Sequence, residues 1–238
     1  MMCGKLDAIR IAELQELAKL FPVSFKNLEL LHRALIHTSF ANENRQFNIE
    51  HNERFEFLGD AVLQLVISSH LFQAYPNYPE GELTKVRAAI VCEPCLARQA
   101  ARLKLGAFLL LGKGEETSGG RVRVSTLADA FEAVIGAIYL DGGLAKATQF
   151  VLSELDHELG LISRGEYSKD YKTTLQELVQ RNGDSKIVYE VVQETGPDHD
   201  KLFTVAVIVN GFQQGSGTGR SKKEAEQAAA ASAITSLC

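Results

Sequence analysis

The chain of 238 residues contains no apolar run of the roughly 18 to 20 residues that a membrane-spanning helix needs. Its first residues, Met-Met-Cys-Gly-Lys-Leu-Asp, lack the apolar segment of a secretory signal. These two absences predict a cytoplasmic protein with no membrane partner. Cysteine is scarce: of four residues, Cys92 and Cys95 form a lone Cys-x-x-Cys, and Cys3 and Cys238 stand at the far ends. No second Cys or His pair has a matching spacing, which argues against a zinc site. With Pro94 between them, Cys92 and Cys95 are expected to flank a helix break. There is no surplus of positive charge either. Lys and Arg number 25 against 30 Asp and Glu, a net charge of −5, which on bulk charge alone argues against a nucleic-acid binder. Strand-like alternation is absent before residue 165.

What the chain does carry is a concentrated acidic signal. Residues 52–60 read Asn-Glu-Arg-Phe-Glu-Phe-Leu-Gly-Asp, placing Glu53, Glu56 and Asp60 at i, i+3 and i+7, one stripe of a helix. The surrounding positions are apolar nearly all round (Phe55, Phe57, Leu58, Ala61, Val62, Leu63, Leu65, Val66, Ile67), which predicts a buried helix. Unpaired buried charge is costly, so something must neutralise these acids, and a divalent cation is the economical candidate. A second helix repeats the pattern. Asp129 and Glu132 are the only charges between Ser125 and Leu140. Ser125 or Thr126 is expected as its N-cap and Gly142-Gly143 as its stop. Gly59 and Gly136 lie near the acids of their own helices and should let the two backbones approach, so that the carboxylates converge.

Helical periodicity covers 6–21, 27–36, 53–74, 80–92, 94–104 and about 144–160. Tyr75-Pro-Asn-Tyr-Pro79 is a stop, and 42–52 and 112–120 read as polar and Gly-rich loops. Residues 1–160 are therefore expected to form an all-helical domain and 161–170 a flexible linker. Beyond it the period changes. Thr173–Gln180 reads as a helix, and Val188–Gln193, Lys201–Val209 and the weaker Gln213–Gly219 as strands, with turns at Gly196-Pro197-Asp198 and Gly211. Ser221–Leu237 is an Ala-rich helix opened by a Ser221/Glu224 capping box. Residues 171–238 thus form a small α+β domain of order α-β-β-β-α.

These segments resemble ribonuclease III over nearly the whole chain. Asn52–Leu63 is similar to that family's signature motif. Glu115–Asp141, with Ser118-Gly-Gly-Arg121 and Leu127-Ala-Asp-Ala-Phe-Glu132, is similar to its second block, Thr117 standing where the family more often has Lys. The resemblance implies an all-α endonuclease domain followed by a double-stranded RNA-binding domain. It implies a magnesium site, with Mn2+ able to substitute, at Glu56, Asp60, Asp129 and Glu132. Asp60 and Glu132 would be central to catalysis, and Glu53 would serve the dimer interface or RNA contact. It also implies a homodimer with one acidic cluster for each strand, 5′-phosphate and 3′-hydroxyl products, and processing of ribosomal and other structured RNA precursors. If two ions act, they should stand about 4 Å apart.

The double-stranded RNA partner would be read through 2′-hydroxyls, minor-groove edges and phosphates. Three patches resemble the family's contacts. Thr173, Gln176 and Gln180 share one helix face. His199 sits in a loop between strands, flanked by Asp198 and Asp200. Arg220, Ser221, Lys222 and Lys223 open the last helix, where the positive dipole end favours phosphate. Residues 171–238 carry seven Lys and Arg against eight Asp and Glu, so binding must come from local clustering and depend on salt. The alternatives are a non-catalytic binder of duplex RNA, whose mark would be a lost acid, and an all-helical metal enzyme of the diiron type. The latter uses Glu-x-x-His, which neither acidic helix has. The histidines, His32, His37, His51, His70, His157 and His199, form no recognisable acid–base pair.

Overall fold

The central helix of the first unit is enclosed almost completely. Between Thr126 and Ile138 every residue is buried except Asp129 and Glu132. The computed structural model describes residues 6–163, 171–180, 186–197 and 201–237. The chain divides into two compact units, Met1–Tyr167 and Ser168–Cys238. The helices of the first are α1 (Ala8–Ala18), α2 (Leu28–Ala34), α3 (Thr38–Glu43), α4 (Glu53–Ala74), α5 (Glu80–Ile90), α6 (Glu93–Arg102), α7 (Leu105–Phe108), α8 (Lys113–Thr117), α9 (Val124–Glu154) and α10 (Asp156–Ser163). An isolated parallel bridge, Ile36 to Leu110, is the sole extended pairing among its described residues.

The core lies between α4 and α9. Phe131, Phe150, Leu63 and Ile67 are among its fully buried side chains, each worth about 1.5–3 kcal/mol of burial. Two glycines set the spacing. A Cβ on Gly59 would lie 1.8 Å from the Glu132 carbonyl oxygen, and one on Gly136 would lie 2.3 Å from that of Phe55. The helices are therefore in backbone contact, as the sequence suggested. Asp141, on α9, fixes a third helix. Its carboxylate accepts the Lys26 and Asn27 amides at 3.0 and 2.8 Å, just ahead of α2, and the Asn27 side chain caps that helix by accepting from the Glu29 amide.

Several expectations need correction. The α4 helix is not buried all round: Phe55, Gly59, Val62, Val66 and Ile67 face the core, but Phe57 and Phe72 are 80% and 72% exposed. It is also the one helix among the described residues that is long and apolar enough to cross a membrane by length and composition. Its acids and its backbone contact with α9 make it a core helix. Neither Ser125 nor Thr126 caps α9, which begins at Val124 after Arg123, leaving Thr126 buried in the first turn. Gly143, at φ 76°, breaks the helical geometry as expected, although helix continues beyond it to Glu154. Pro94 does not mark the break before α6. It occupies the first turn, where its missing N–H costs nothing, and Cys92 is the N-cap. Cys95 is buried, and burial, followed by the nearby Glu158, pushes its thiol up to about 12, so it is inert as a nucleophile. The expected loops are partly ordered: 42–52 takes in the end of α3 and a 3-10 turn, Arg45–Phe47, and 112–120 contains α8 and reaches a second 3-10 turn, Gly120–Val122. Residues 161–163 belong to α10 rather than to a linker; 164–170 lie outside the described residues.

The second unit runs α11 (Tyr171–Gln180), β1 (Ile187–Thr195), β2 (Leu202–Val209), β3 (Phe212–Gly219) and α12 (Lys222–Leu237), with an antiparallel sheet ordered β1-β2-β3. The period-two face Val205, Val207 and Val209 is buried and shares a core with Leu175, Ala225, Ala229 and Ala233. Asn210 and Gly211, both at positive φ, make the β2–β3 turn. Gly215, Gly217 and Gly219 face α12 so closely that a Cβ on Gly217 would lie 2.2 Å from the Ala229 amide nitrogen.

Gly59→Ala should drive a methyl group into the α9 backbone and cost about 3 kcal/mol. Calorimetry of the full chain should show the unfolding of the helical unit lowered by about 6–12 °C; an unchanged transition would mean that the contact is not tight.

Candidate active site and nucleic-acid interface

Because Gly59 faces Glu132 and Gly136 faces Phe55, the acids next to those glycines are brought together from opposite helices. Glu56, Asp129 and Glu132 are partly buried, whereas Asp60 and Glu53 are exposed. The four inner carboxylates share one electrostatic field. Glu132 is pushed up to about 8, first by burial and then by the charges of Asp60, Glu56 and Asp129. Glu56 is raised by burial, then by Asp129, Glu53 and Asp60. Asp129 is raised by burial and by Glu93, an effect partly offset by His37. Glu93, in the first turn of α6, and His37 were not singled out in the sequence. Nothing local marks them, because they reach the site only through the packing of α6 and the 36–39 segment.

The acids that share this field are not arranged as ready-made ligands. Among the described residues no three His, Cys, Asp or Glu side chains stand close enough to hold an ion. Like charges favour splayed rotamers, and the burial of these groups raises the cost of ionising them all at once. The two features are consistent, since electrostatic coupling extends well beyond coordination distance. The donor set itself fits a hard dication: four carboxylates from two locked helices, with neither Cys nor His among them. Gln64 donates to Asp60 at 3.2 Å. Glu53, with His51 3.7 Å away, lies at the outer end of the stripe.

The segment that carries His37 is tied to the chain around α8. His37 caps α3 by accepting from the Ser39 amide, and the Ser39 hydroxyl accepts from the Gly112 amide at 2.9 Å. The Glu43 carboxylate accepts from the Lys113 and Gly114 amides at the start of α8, which holds it below the usual carboxylate range. Arg121 pairs with Glu116, and Arg123 with Glu115, across the Gly-rich turn.

In the second unit, Thr173, Gln176 and Gln180 of α11 meet Lys223 of α12 around one open cavity of about 480 Å3, together with Lys172, Ile187, Tyr189 and Gln227. One member of the expected basic patch, Lys223, thus shares a surface with the expected α11 patch. The capping box forms: the Ser221 hydroxyl accepts the Glu224 amide at 3.1 Å, and the Glu224 carboxylate accepts the Arg220 amide at 2.8 Å. Two amides expected to attract phosphate are therefore already satisfied, and the ammonium groups carry more of that task. Lys222 is itself engaged, 3.4 Å from Glu194 and over the Phe203 ring. His199 lies outside the described residues.

The Ribonuclease-III-like family model matches residues 27–159, more than half the chain. The chain belongs to the ribonuclease III family. The double-stranded RNA binding motif matches residues 171–237. Ribonuclease 3 of Pelotomaculum thermopropionicum is 53% identical over 212 residues, covering 89% of this chain and 88% of its own. That of Geobacillus thermodenitrificans is 49% identical over 236 residues, covering 98% and 95%. Among solved structures, a nuclease domain of ribonuclease III from Campylobacter jejuni, described for flexibility in a region involved in dimer formation, aligns with a TM-score of 0.57 at 41% identity. It covers 61% of this chain and 97% of that one.

The raised Glu132 carboxyl has a consequence for stability. Folded protein keeps this proton up to about 8 whereas an ordinary Glu loses it near 4.5. Between those values the folded state binds more protons, so stability falls as pH rises through that window. Glu132→Gln should remove the cost. With chelator present its unfolding temperature should exceed that of the unsubstituted chain by a few degrees near pH 8 and match it near pH 4, about 1–2 kcal/mol after screening at this open site. A pH-independent difference in thermal scans would sever Glu132 from the cluster.

Proposed function

We propose that this ribonuclease III-family endoribonuclease hydrolyses both strands of duplex RNA in a magnesium-dependent reaction, leaving 5′-phosphate and 3′-hydroxyl ends, and that it acts as a homodimer in the cytoplasm. Ribosomal and other structured RNA precursors are its expected substrates. The observation that carries the reading is the shared field of Glu56, Asp60, Asp129 and Glu132 on two helices locked at glycine contact.

Those four carboxylates would hold magnesium, with Mn2+ able to substitute, and the ion would supply activation of water and neutralisation of charge at the leaving 3′-oxygen. The chain's own contribution is placement. The backbone contacts of Gly59 with Glu132 and of Gly136 with Phe55 support this, because they bring the stretch that carries Glu56 and Asp60 against the stretch that carries Asp129 and Glu132; the oxygen donors would still have to turn inward to meet a cation. Burial, and after it the charges of Asp60, Glu56 and Asp129, hold a proton on Glu132; a bound cation would oppose both effects and displace that proton. In the second unit, the neutral amide and hydroxyl groups of Thr173, Gln176 and Gln180 suit 2′-hydroxyls, and Lys222, Lys223 and Arg220 suit the phosphates between minor grooves. His199 is expected to reach the neighbouring groove.

The homodimer rests on the third face of α4. At 100° per residue the core stripe centres on Gly59, the acids lie about 60–120° round from it, and Phe57, Ala61, Leu65 and Phe72 lie about 160–240° round. Phe57, Leu65 and Phe72 are all exposed. Beside Phe57 is a cavity of about 710 Å3, lined by Leu30, Arg33, Ile49, Phe55, Leu58 and Leu140 among others. An isologous pair could seat each Phe57 in its partner's cavity. The acidic stripe then borders the interface, and the two clusters face one duplex. The Campylobacter relative's dimer-forming region is in accord.

Glu132→Gln should reduce magnesium-dependent cleavage of a labelled duplex at least about 100-fold, while filter binding of the same duplex changes less than about threefold. Full activity in magnesium would defeat the assignment. Phe57→Glu should convert the dimer to a folded monomer in sedimentation and abolish paired-strand cutting, because it buries an uncompensated charge at a self-contact; a dimer that survives the change would move the interface elsewhere.

A further inference from the structure

The lysines of the RNA-facing surface are not bare cations. Lys222, in the first turn of α12, has its ammonium group 3.4 Å from the Glu194 carboxylate of β1 and 5.6 Å from the centre of the Phe203 ring of β2. Lys172, at the start of α11, repeats the arrangement with other partners: it is 2.7 Å from Glu226 and 4.6 Å from the Tyr189 ring centre. Each ammonium thus sits between a carboxylate and an aromatic face. The ring holds the aliphatic stem and orients the cation, and the carboxylate occupies a position that a phosphate oxygen would take. The whole region from 171 to 238 has one more acid than base, so it has no reserve of positive charge to mask this.

We propose that Glu194 is an internal competitor for RNA phosphate at Lys222, so that binding exchanges a carboxylate for a phosphate. The proposal rests on the reading of Lys222 as a phosphate contact. Both members of the pair are well exposed, 59% for the Lys222 side chain and 41% for Glu194, and a pair of this kind is weak enough to open. A carboxylate that stayed beside the lysine would instead face the incoming phosphate as a like charge. In either case Glu194 lowers duplex affinity, and the lowering passes through Lys222. The Phe203 ring keeps Lys222 aimed after the exchange, so the carboxylate is not needed to position it. The device tunes affinity without touching the residues that contact hydroxyls or base edges, and it favours release after cleavage.

The test is a double-mutant cycle on the full chain, with chelator present to prevent cleavage, using an RNA duplex of about 20 base pairs and fluorescence anisotropy across a range of KCl concentrations. Glu194→Gln should tighten binding about two- to fivefold at low salt and steepen the slope of log K against log salt by up to about one. In a Lys222→Gln background the same change should have almost no effect. Weakened binding would make Glu194 an aiming residue for Lys222 and overturn the proposal, as would unchanged affinity. Equal tightening in both backgrounds would reduce the effect to bulk charge and also overturn it. If Lys222→Gln alone leaves affinity unchanged, the phosphate-contact reading fails first and takes the proposal with it. If Lys222→Gln weakens binding and Glu194→Gln does nothing, only the proposal falls. Matching thermal transitions for the four proteins establish that the cycle compares folded chains.

Discussion

The contact on which the helical unit depends is the approach of the α4 and α9 backbones at Gly59 and Gly136. With any side chain at position 59 the first atom would meet the Glu132 carbonyl, and the helices would have to separate. Separation would loosen the core that Leu63, Ile67, Phe131 and Phe150 fill. It would also pull apart the two pairs of acids, since Glu56 and Asp60 flank Gly59 and Asp129 and Glu132 precede Gly136. Core packing and electrostatic coupling thus share one geometric condition. This is why the site's carboxylates can be costly to ionise in the folded chain and still be held there. The cost of charge at Glu132 is met by the burial of the apolar residues around it, each worth about 1.5–3 kcal/mol.

Much of this was legible in the sequence because it is local or periodic. The i, i+3, i+7 spacing of Glu53, Glu56 and Asp60, the isolation of Asp129 and Glu132 in an apolar helix, and the glycines beside them require no tertiary knowledge. The period-two face Val205, Val207, Val209 and the Ser221/Glu224 capping box are equally local. What failed was inference from hydrophobicity to burial. An apolar helix surface says that a face avoids water, not which partner covers it. For α9 the partners lie within the unit. For α4 the main partner is α9 along one face; α5 also meets it, where Arg87 donates to the Ser68 hydroxyl at 2.8 Å, and Phe57 and Phe72 are left outward. Likewise β3 reads as a weak strand because it is rich in glycine, and glycine is a poor strand former. Those glycines instead permit the backbone of Ala-rich α12 to lie directly on the sheet. Glu93 and His37 could not have been found at all, since each joins the site from a segment remote in sequence.

Net charge was similarly a poor guide to binding. A region with more acids than bases offers no broad positive field. Yet Lys223 is brought beside Thr173, Gln176 and Gln180 by the packing of α11 against α12, and Lys222 and Lys172 are oriented by Phe203 and Tyr189. Recognition of this kind depends on where a few cations are held, not on their number. Two of these cations, Lys222 and Lys172, also have an acid beside them, which would weaken attraction to a polyanion that does not present its phosphates in the matching places. The low charge and the specific placement are two sides of one arrangement.

The α4 helix makes the relation between sequence and function sharpest. Its three faces have three environments, and about 100° of rotation separates one residue from the next. A residue added or removed near Gly59 would turn the acids toward the core and an apolar side chain toward the site. The phase of the whole helix is therefore fixed at once by the glycine contact, and no face can be altered independently. Its hydrophobicity follows from this constraint: the helix is apolar toward α9 and largely apolar on its outer face, where Arg54 is the one charge, so its acids are left to the arc between. The acids occupy that arc because there they border both the core that positions them and the solvent, from which a polyanionic duplex, with its counter-ions, would approach.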